Sequence, residues 1–249
     1  KTPVHLPNMA MINAVSKLTW RAFERHYSLT TYEQLISKLD STIPVYPDWI
    51  KGIACALGSA GLAFLYSGDM IAFIVTVICS LIGYFGRTLS VRFGCNEYVG
   101  IAIGAFVAMV SAYGFYSHIE QFSLVYVLVC CTLFMIPGVP LINSVIDTIN
   151  NHILSGITRA IRTILIVGSM TLGMAMALYF SPMPAFSFVD IKPHVLTIEQ
   201  IIGSFTAAAS FAVLFNAPVR LLVSIGIGGV LCVFIRNLLA VEFGFSIPG

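Results

Sequence analysis

Residues 70–86 read MIAFIVTVICSLIGYFG and contain no charged side chain. A helix needs roughly 20 mostly apolar residues, within a range of about 17–25, to cross about 30 Å of hydrocarbon. The weak alternation over roughly ten residues that marks a membrane β-strand is missing from this sequence. The sequence therefore predicts an all-α, polytopic membrane helix bundle with about seven transmembrane helices after a short cytoplasmic helical segment. The other charge-free stretches are 52–68, 98–117, 121–146, 163–189, 200–219 and 221–235.

Composition supports a membrane protein. The chain is 58% hydrophobic and only 10% charged, whereas soluble domains carry about 25% charged residues. Such a chain has too few polar side chains to cover its apolar surface in water, so the lipid bilayer is its expected surrounding. The six cysteines form no C-x-x-C pair, and we expect no metal site. We also expect no cofactor and no nucleic-acid partner.

The positions of lysine and arginine predict the orientation, because these residues accumulate in cytoplasmic loops. If the N-terminus is cytoplasmic, the basic residues of the loops fall on the cytoplasmic side, except Lys192. Arg236 lies within the seventh span instead. The cytoplasmic residues are Lys1, Lys17, Arg21, Arg25, Lys38, Lys51, Arg87, Arg92, Arg159, Arg162 and Arg220.

The chain divides into four predicted parts. Residues 1–48 form a cytoplasmic helical segment, residues 49–180 a five-helix membrane unit, residues 181–199 an external linker, and residues 200–249 the start of a second unit with two helices. Within the first part, 8–25 reads as a basic amphipathic helix. A capping box at Thr30 and Glu33 predicts a short helix over 32–39. The chain lacks an initiator methionine and ends at Gly249, so we expect it to be part of a longer protein.

Residues 136–147, IPGVPLINSVID, contain the candidate functional site. Pro137, Gly138 and Pro140 interrupt the helical hydrogen-bond ladder, and Pro140 suits the first residue of a new half-helix. Broken backbone inside a membrane persists only where protein or a wet cavity satisfies the freed groups. In transporters, half-helix N-termini bind anionic substrate groups. The alternative interpretation is a simple kink.

Polar residues follow this break at helical spacing. Asn143, Asp147 and Asn151 are four residues apart and would share one helix face. An ionisable residue on the wall of a transport path can carry a proton, and Asp147 is the first candidate for that role, with His152 the second. A count of about 1.5 Å per residue from Gln121 places Asp147 near the cytoplasmic surface, so an ordinary loop carboxylate stays open as an alternative.

Several arginines have two interpretations each. Arg159 and Arg162 share a helix face and either anchor the cytoplasmic side or attract an anion into a vestibule. Arg236 lies in the seventh span, where it either extends its charge to the interface or is functional. Asn216 and Arg220 are most simply part of the cytoplasmic turn between spans six and seven.

Three stretches resemble the threonine/serine exporter family, which includes two-part relatives associated with succinate export. The first is 136–143 with Asp147 and the following 151–159, NHILSGITR. The second is 28–35, SLTTYEQL, with 46–49, YPDW, and the third is 211–220, FAVLFNAPVR, with Arg236 downstream. The resemblance covers nearly the whole chain. Relative to the family, much of the N-terminal soluble part and the end of the second unit are missing.

This resemblance implies a transporter in the inner membrane that exports small hydrophilic metabolites, threonine and serine or a dicarboxylate, in exchange for or together with protons. The path residues would be Pro137, Gly138, Pro140, Asn143, Asp147, Asn151, His152 and Arg159, with Asn216, Arg220 and Arg236 in the second unit. Two alternatives stay open: a non-transporting membrane subunit that needs a partner, and an intramembrane enzyme. The enzyme requires convergent nucleophile, base or metal ligands, which the sequence does not display. A homo-oligomer or a partner membrane subunit is possible in either transport scheme.

Overall fold

The structure, a computed structural model, describes residues 8–42, 45–67, 69–119, 124–136, 138–181 and 197–243. Within these ranges it contains ten α-helices, one 3₁₀ helix and no strand. The predicted all-α class is confirmed. The helices are α1 (Met9–Arg25), α2 (Leu29–Thr42), α3 (Asp48–Ser67), α4 (Met70–Arg92), α5 (Glu97–Tyr116), α6 (Leu124–Cys130), the 3₁₀ helix (Leu133–Met135), α7 (Gly138–Ile149), α8 (Ile153–Phe180), α9 (Ile198–Leu214) and α10 (Val219–Phe243).

Five helices in the described ranges are long and apolar enough to cross a membrane: α3, α4, α5, α8 and α10. A sixth candidate is the pair formed by α6 with the 3₁₀ helix and α7, which bends by 57° at its break. Helix α9 is apolar but has 17 residues, the lower end of the spanning range. The polytopic membrane bundle is therefore confirmed. The count of seven includes both the bent pair and α9, and it stays a prediction.

The N-terminal segment is a pair of packed helices. Asn8 caps α1 by accepting the N–H of Met11 at 3.1 Å, as the predicted helix over 8–25 requires. The predicted start of the second helix is wrong. Helix α2 begins at Leu29 because the hydroxyl of Ser28, rather than that of Thr30, accepts a first-turn N–H, at 3.3 Å.

Small residues bring the membrane helices into close contact. A Cβ atom on Gly61 of α3 would lie 2.7 Å from the carbonyl oxygen of Gly203 in α9, and a Cβ atom on Gly203 would lie 2.6 Å from that of Gly61. In lipid, such close approach replaces the hydrophobic effect as the source of helix association. Helix α9, the first of the predicted second unit, thus packs tightly along α3 of the predicted first unit. The division at 181–199 stays a prediction, and 182–196 lie outside the described residues.

The short helix α6 occupies the centre of the bundle. Its residues Val127 and Leu128 are almost fully buried, in one apolar cluster with residues of α4, α5 and α8. The other buried members include Val75, Cys79 and Met109. Because α6 has only seven residues, it is too short to cross a membrane by itself, and a complete span would need the 3₁₀ helix and α7 as well.

The turn between α9 and α10 binds the start of α1. Asn216 is left-handed, with φ 53°; its side-chain amide donates to Asn8 Oδ1 at 2.7 Å, and its Oδ1 accepts the N–H of Tyr46 at 3.0 Å. The N–H groups of Met9 and Ala10, which have no acceptor within α1, donate to carbonyls of this turn at 3.0 and 3.1 Å. Asn216 therefore lies in the predicted turn, and it holds the N-terminal segment against the membrane helices.

Replacing Gly61 by alanine should destabilise the bundle, because the added Cβ forces α3 away from α9. Overpacking costs about 1–3 kcal/mol, which corresponds to a fall in Tm of about 3–10 °C for a chain of this size. Thermal unfolding of the detergent-purified protein measures it. The matched control is Gly228→Ala in α10, whose Cβ would meet no atom within 4 Å. Equal Tm values for the two variants would contradict the tight α3–α9 contact.

Asn216→Gly should loosen α1 without disturbing the turn, since glycine adopts positive φ freely while the two side-chain hydrogen bonds are lost. Two such bonds contribute about 1–3 kcal/mol, so we expect tryptic cleavage at Arg21 and Arg25 to accelerate about tenfold. The control is Asn151→Gly, a second left-handed asparagine (φ 62°) whose side chain is exposed. Unchanged cleavage in Asn216→Gly would show that the docking does not depend on this side chain.

Candidate functional site

The predicted helix break is present. Helix α6 ends at Cys130, the 3₁₀ helix ends at Met135, and Ile136 is extended, with φ −66° and ψ 123°. Helix α7 begins at Gly138, and Pro137 lies outside the described residues. Pro140 is the third residue of α7, not the first as predicted. That position is equally suitable, because first-turn N–H groups have no acceptor within the helix.

Local hydrogen bonds satisfy part of the interrupted backbone. The hydroxyl of Thr132 donates to the carbonyl of Val129 at 2.9 Å, and the thiol of Cys131 donates to that of Leu128 at 3.3 Å. The N–H of Ile136 donates to the carbonyl of Leu133 at 3.1 Å. A Cβ atom on Gly138 would meet nothing within 4 Å. The start of α7 therefore borders open space, whereas the end of α6 is packed.

Helix α7 is amphipathic, and its polar side includes Asn143 and Asp147. Asn143 and Asp147 are half-buried, and Ser144 is buried against α8. The opposite side exposes apolar residues: Leu141, Ile142, Val145, Ile146 and Ile149. The polar side thus points towards protein, as a path-lining surface requires.

The predicted face does not extend to Asn151. Helix α7 ends at Ile149, and Asn151 is left-handed, with φ 62°. Asparagine tolerates this conformation better than most residues, so the chain turns here instead of continuing the helix. His152 is the cap residue of α8, makes no capping hydrogen bond through its side chain and is exposed. Asn151 and His152 therefore lie in the α7–α8 turn, beyond the end of the helix that carries the Asn143–Asp147 face, and the N–H of His152 donates to the carbonyl of Asp147 at 2.8 Å.

Asp147 joins α7 to α8. Its Oδ2 accepts the hydroxyl proton of Ser155 at 2.8 Å and lies 3.3 Å from the guanidinium of Arg159. Gly156 makes this possible, because a side chain there would collide with Ser144 and Thr148 of α7. The sequence analysis included both Asp147 and Arg159 among the path residues but predicted no contact between them, and the structure shows them as an ion pair.

A second charged cluster, which the sequence analysis missed, joins three helices. Glu97 begins α5; its Oε1 lies 3.5 Å from Arg87 of α4, and its Oε2 lies 3.4 Å from Arg162 of α8. The carboxylate is well covered, with its side chain 16% exposed. A signal was available: Glu97 is the only acid between the second and third charge-free stretches, and it follows a helix-capping asparagine, Asn96.

This cluster, Arg87, Glu97 and Arg162, adjoins the broken span. A Cβ atom on Gly104 of α5 would lie 2.6 Å from Met135 Cε and 3.0 Å from Arg87 Cβ. Gly104 thus marks where the 3₁₀ helix and the arginine both approach α5. The broken element and the three-residue cluster are therefore neighbours.

The residues predicted in the second unit lie at two different ends of α9. Asn216 and the exposed Arg220 are at its C-terminal end. At the other end, Arg236 donates twice to Asn237 Oδ1, at 3.2 and 3.1 Å. Asn237 is 1% exposed and donates to Gln200 Oε1 at 2.9 Å. The structure therefore does not bring Arg236 together with Asn216 and Arg220.

The described part of the chain contains no set of side chains that could bind a metal ion. No group of three or more His, Cys, Asp or Glu side chains lies close enough there to hold a metal ion. The charged groups of the site are arranged instead as arginine–carboxylate pairs, which suit recognition of an anion.

Comparison with known proteins shows the family of the chain. A family profile described as "Putative threonine/serine exporter" matches residues 3–181, more than half of the chain. Two proteins named "Probable succinate transporter subunit YjjP", from Klebsiella aerogenes and from Escherichia coli strain K12, are each 25% identical over 174 residues. The match covers 69% of this chain and 66% of each relative, slightly less than two thirds of the relatives' own length. No solved structure matches the chain significantly. From the extent of the family match, the chain is a multi-pass membrane protein that belongs to the putative threonine/serine exporter family.

Proposed function

We propose that the protein is a secondary transporter that exports a small hydrophilic metabolite with a carboxylate group. The candidate substrates are threonine and serine or a dicarboxylate such as succinate, with protons as the coupling ion. One observation carries the proposal: a span of an exporter-family chain is broken at 136–138, and the half-helix beyond the break turns a polar side towards protein. In this scheme the protein lies in the inner membrane with its N-terminus in the cytoplasm.

The break supplies the binding end of the path. The N-terminus of α7 carries a partial positive charge from its aligned peptide dipoles, and it borders open space at Gly138. A substrate carboxylate at this point would be stabilised by the first-turn N–H groups, as in other transporters with discontinuous helices. Pro140 has no N–H, and the N–H of Gly138 donates to the carbonyl of Ile136 at 2.9 Å, so the N–H of Val139 is the first-turn donor that would face a ligand.

The Asp147–Arg159 pair forms the cytoplasmic mouth of the path. Helix α8 has 28 residues and is therefore about 42 Å long, which exceeds the hydrocarbon thickness of about 30 Å. Its first turns, with Arg159, thus reach the interface, where the guanidinium attracts an anion. Asp147 exchanges a proton there, and Asn143, one turn deeper, offers hydrogen bonds to the substrate.

The network at the other end of α9 is suited to the exit side. Arg236 is half-buried in a spanning helix, where a guanidinium is costly unless polar groups or anions compensate it. Asn237 and Gln200 fix its position through two consecutive hydrogen bonds. Arg236 would donate hydrogen bonds to the substrate carboxylate before release.

A second candidate function is a membrane subunit that transports only together with a partner. A largely apolar cleft of about 740 Å³ lies between α1 and the α9–α10 hairpin, with Ile12, Phe211 and Leu221 among its lining residues. A groove beside these two helices favours a partner over a self-contained unit. Both relatives are also named as subunits. A homo-oligomer would use the same surface.

Asp147→Asn should abolish export of labelled threonine and succinate from proteoliposomes, because the amide cannot exchange a proton and holds Arg159 weakly. We expect the initial rate to fall by about 100-fold or more, the effect that loss of a proton-transfer group produces. The protein should stay folded, since the pair is partly exposed and contributes little stability.

The matched control is Asp48→Asn, which removes an acid paired with Arg92 at the same end of the bundle but with 64% of its side chain exposed. Its export rate should equal that of the unmodified chain. Equal export by Asp147→Asn would remove Asp147 from the mechanism. If the unmodified chain and both variants export substrate only after a second membrane protein is added, the result favours the subunit over the self-contained transporter.

A further inference from the structure

We infer that Arg87 and Arg162 form a binding site for a soluble dicarboxylate, and that Glu97 occupies this site when the substrate is absent. The inference rests on the proposed function, since it names the residues and the substrate class of the transport site. It adds a site on α4, α5 and α8 to the path that α7 provides.

The first argument is the balance of charges. The described residues contain four arginine–acid ion pairs, and these involve only three acids, because Glu97 is shared. Asp48 and Asp147 each compensate one arginine, whereas Glu97 has to compensate both Arg87 and Arg162. The Arg87–Glu97–Arg162 cluster therefore carries one uncompensated positive charge.

Burial makes this surplus charge significant. The side chains of Arg87 and Glu97 are only 24% and 16% exposed, and that of Arg162 is 47% exposed. The Arg87 guanidinium beside the covered Glu97 carboxylate is therefore poorly solvated, and a second anion would stabilise it. By comparison, the Arg92–Asp48 pair has 69% and 64% of its side chains exposed and is solvated by water.

The cluster also has free hydrogen-bonding capacity. A guanidinium has five N–H donors, and each arginine makes a single contact with Glu97, at 3.5 and 3.4 Å. An incoming carboxylate can therefore form new bonds without first breaking a strong bidentate pair.

The location connects the site to the broken span. One helical turn beyond Glu97 and Arg162, further into the bundle, Ile101 and Ile166 pack against Met135 of the 3₁₀ helix. A ligand that separates Arg87 from Glu97 would act directly next to the element that precedes the break. Binding at this cluster and movement of the broken span are thus mechanically adjacent.

The net charge selects the substrate class. A zwitterionic amino acid brings no net charge and leaves the surplus uncompensated, whereas a dicarboxylate brings two negative charges. Its two carboxylates would replace Glu97 at the two arginines by exchange of ion pairs, with no covalent step. The released Glu97 keeps its charge in the first turn of α5, where the helix dipole stabilises an anion. The site therefore favours a dicarboxylate over threonine or serine.

Equilibrium dialysis of the detergent-purified full chain with radiolabelled succinate and, separately, threonine tests the inference without requiring transport. We expect succinate to bind at least tenfold more tightly than threonine. Arg87→Gln and Arg162→Gln should each weaken succinate binding about 10- to 100-fold, the range for loss of a charge-assisted bond. The control Arg92→Gln should leave the Kd unchanged.

Glu97→Gln separates this account from a purely structural role of the cluster. If Glu97 competes with succinate, the Kd falls about fivefold or more, and Glu97→Asp, which keeps the charge, stays near the original value. An unchanged or higher succinate Kd for Glu97→Gln would overturn the inference. Tighter binding of threonine than of succinate by the unmodified chain would overturn it as well. Circular dichroism and gel filtration establish that each variant is folded.

Two further results would also overturn it. One is the absence of succinate binding by the unmodified chain. The other is a rise in Tm on addition of phosphatidylglycerol but not of succinate. If this rise is lost in Arg87→Gln and Arg162→Gln, the site binds a lipid phosphate and not a dicarboxylate. Binding of succinate by a chain that does not transport it would leave the site intact and refute only the proposed self-contained transport.

Discussion

Backbone polar groups in a membrane have no water to bind, and the rest of this structure depends on how one broken span meets that constraint. Helix α6 ends after seven residues in the middle of the bundle, so its last carbonyls need other donors. The hydroxyl of Thr132 and the thiol of Cys131 supply two of them. The central position of α6, surrounded by α3, α4 and α5, keeps these groups away from lipid. Beyond the break, α7 is free to adopt another direction.

The charged residues join the helices next to the broken span. Asp147 and Arg159 join α7 to α8, and Glu97 joins α5 to both α4 and α8. Helix α8 thus carries two arginines that hold other helices, Arg159 at α7 and Arg162 at α5. A substrate anion that competes for these two arginines would loosen contacts among three helices at once. Ion-pair exchange at one end of the bundle is therefore the physical link that we propose between binding and movement of the broken span.

Much of the fold follows from local sequence, whereas most of the site does not. The charge-free stretches predicted the membrane helices, and the proline–glycine motif predicted the break, because each reflects a property of neighbouring residues. The left-handed Asn151 was missed because four-residue spacing continues past the point where the helix ends. Glu97 was missed because its importance comes from Arg87 and Arg162, which are distant in sequence. The contact between Asn237 and Gln200 was missed for the same reason, since a pair of amide side chains on two different helices leaves no periodic signal in the sequence.

The accessibility of α7 to water tests the central claim most directly. In a background in which the six native cysteines are replaced, single cysteines at Asn143 and at Val145 place one thiol on each side of the helix. We predict that a hydrophilic, membrane-impermeant maleimide labels Asn143→Cys and not Val145→Cys, because only the polar side borders a wet path. Labelling of Val145→Cys alone, or of neither position in both membrane orientations, would contradict a hydrophilic passage beside the broken span.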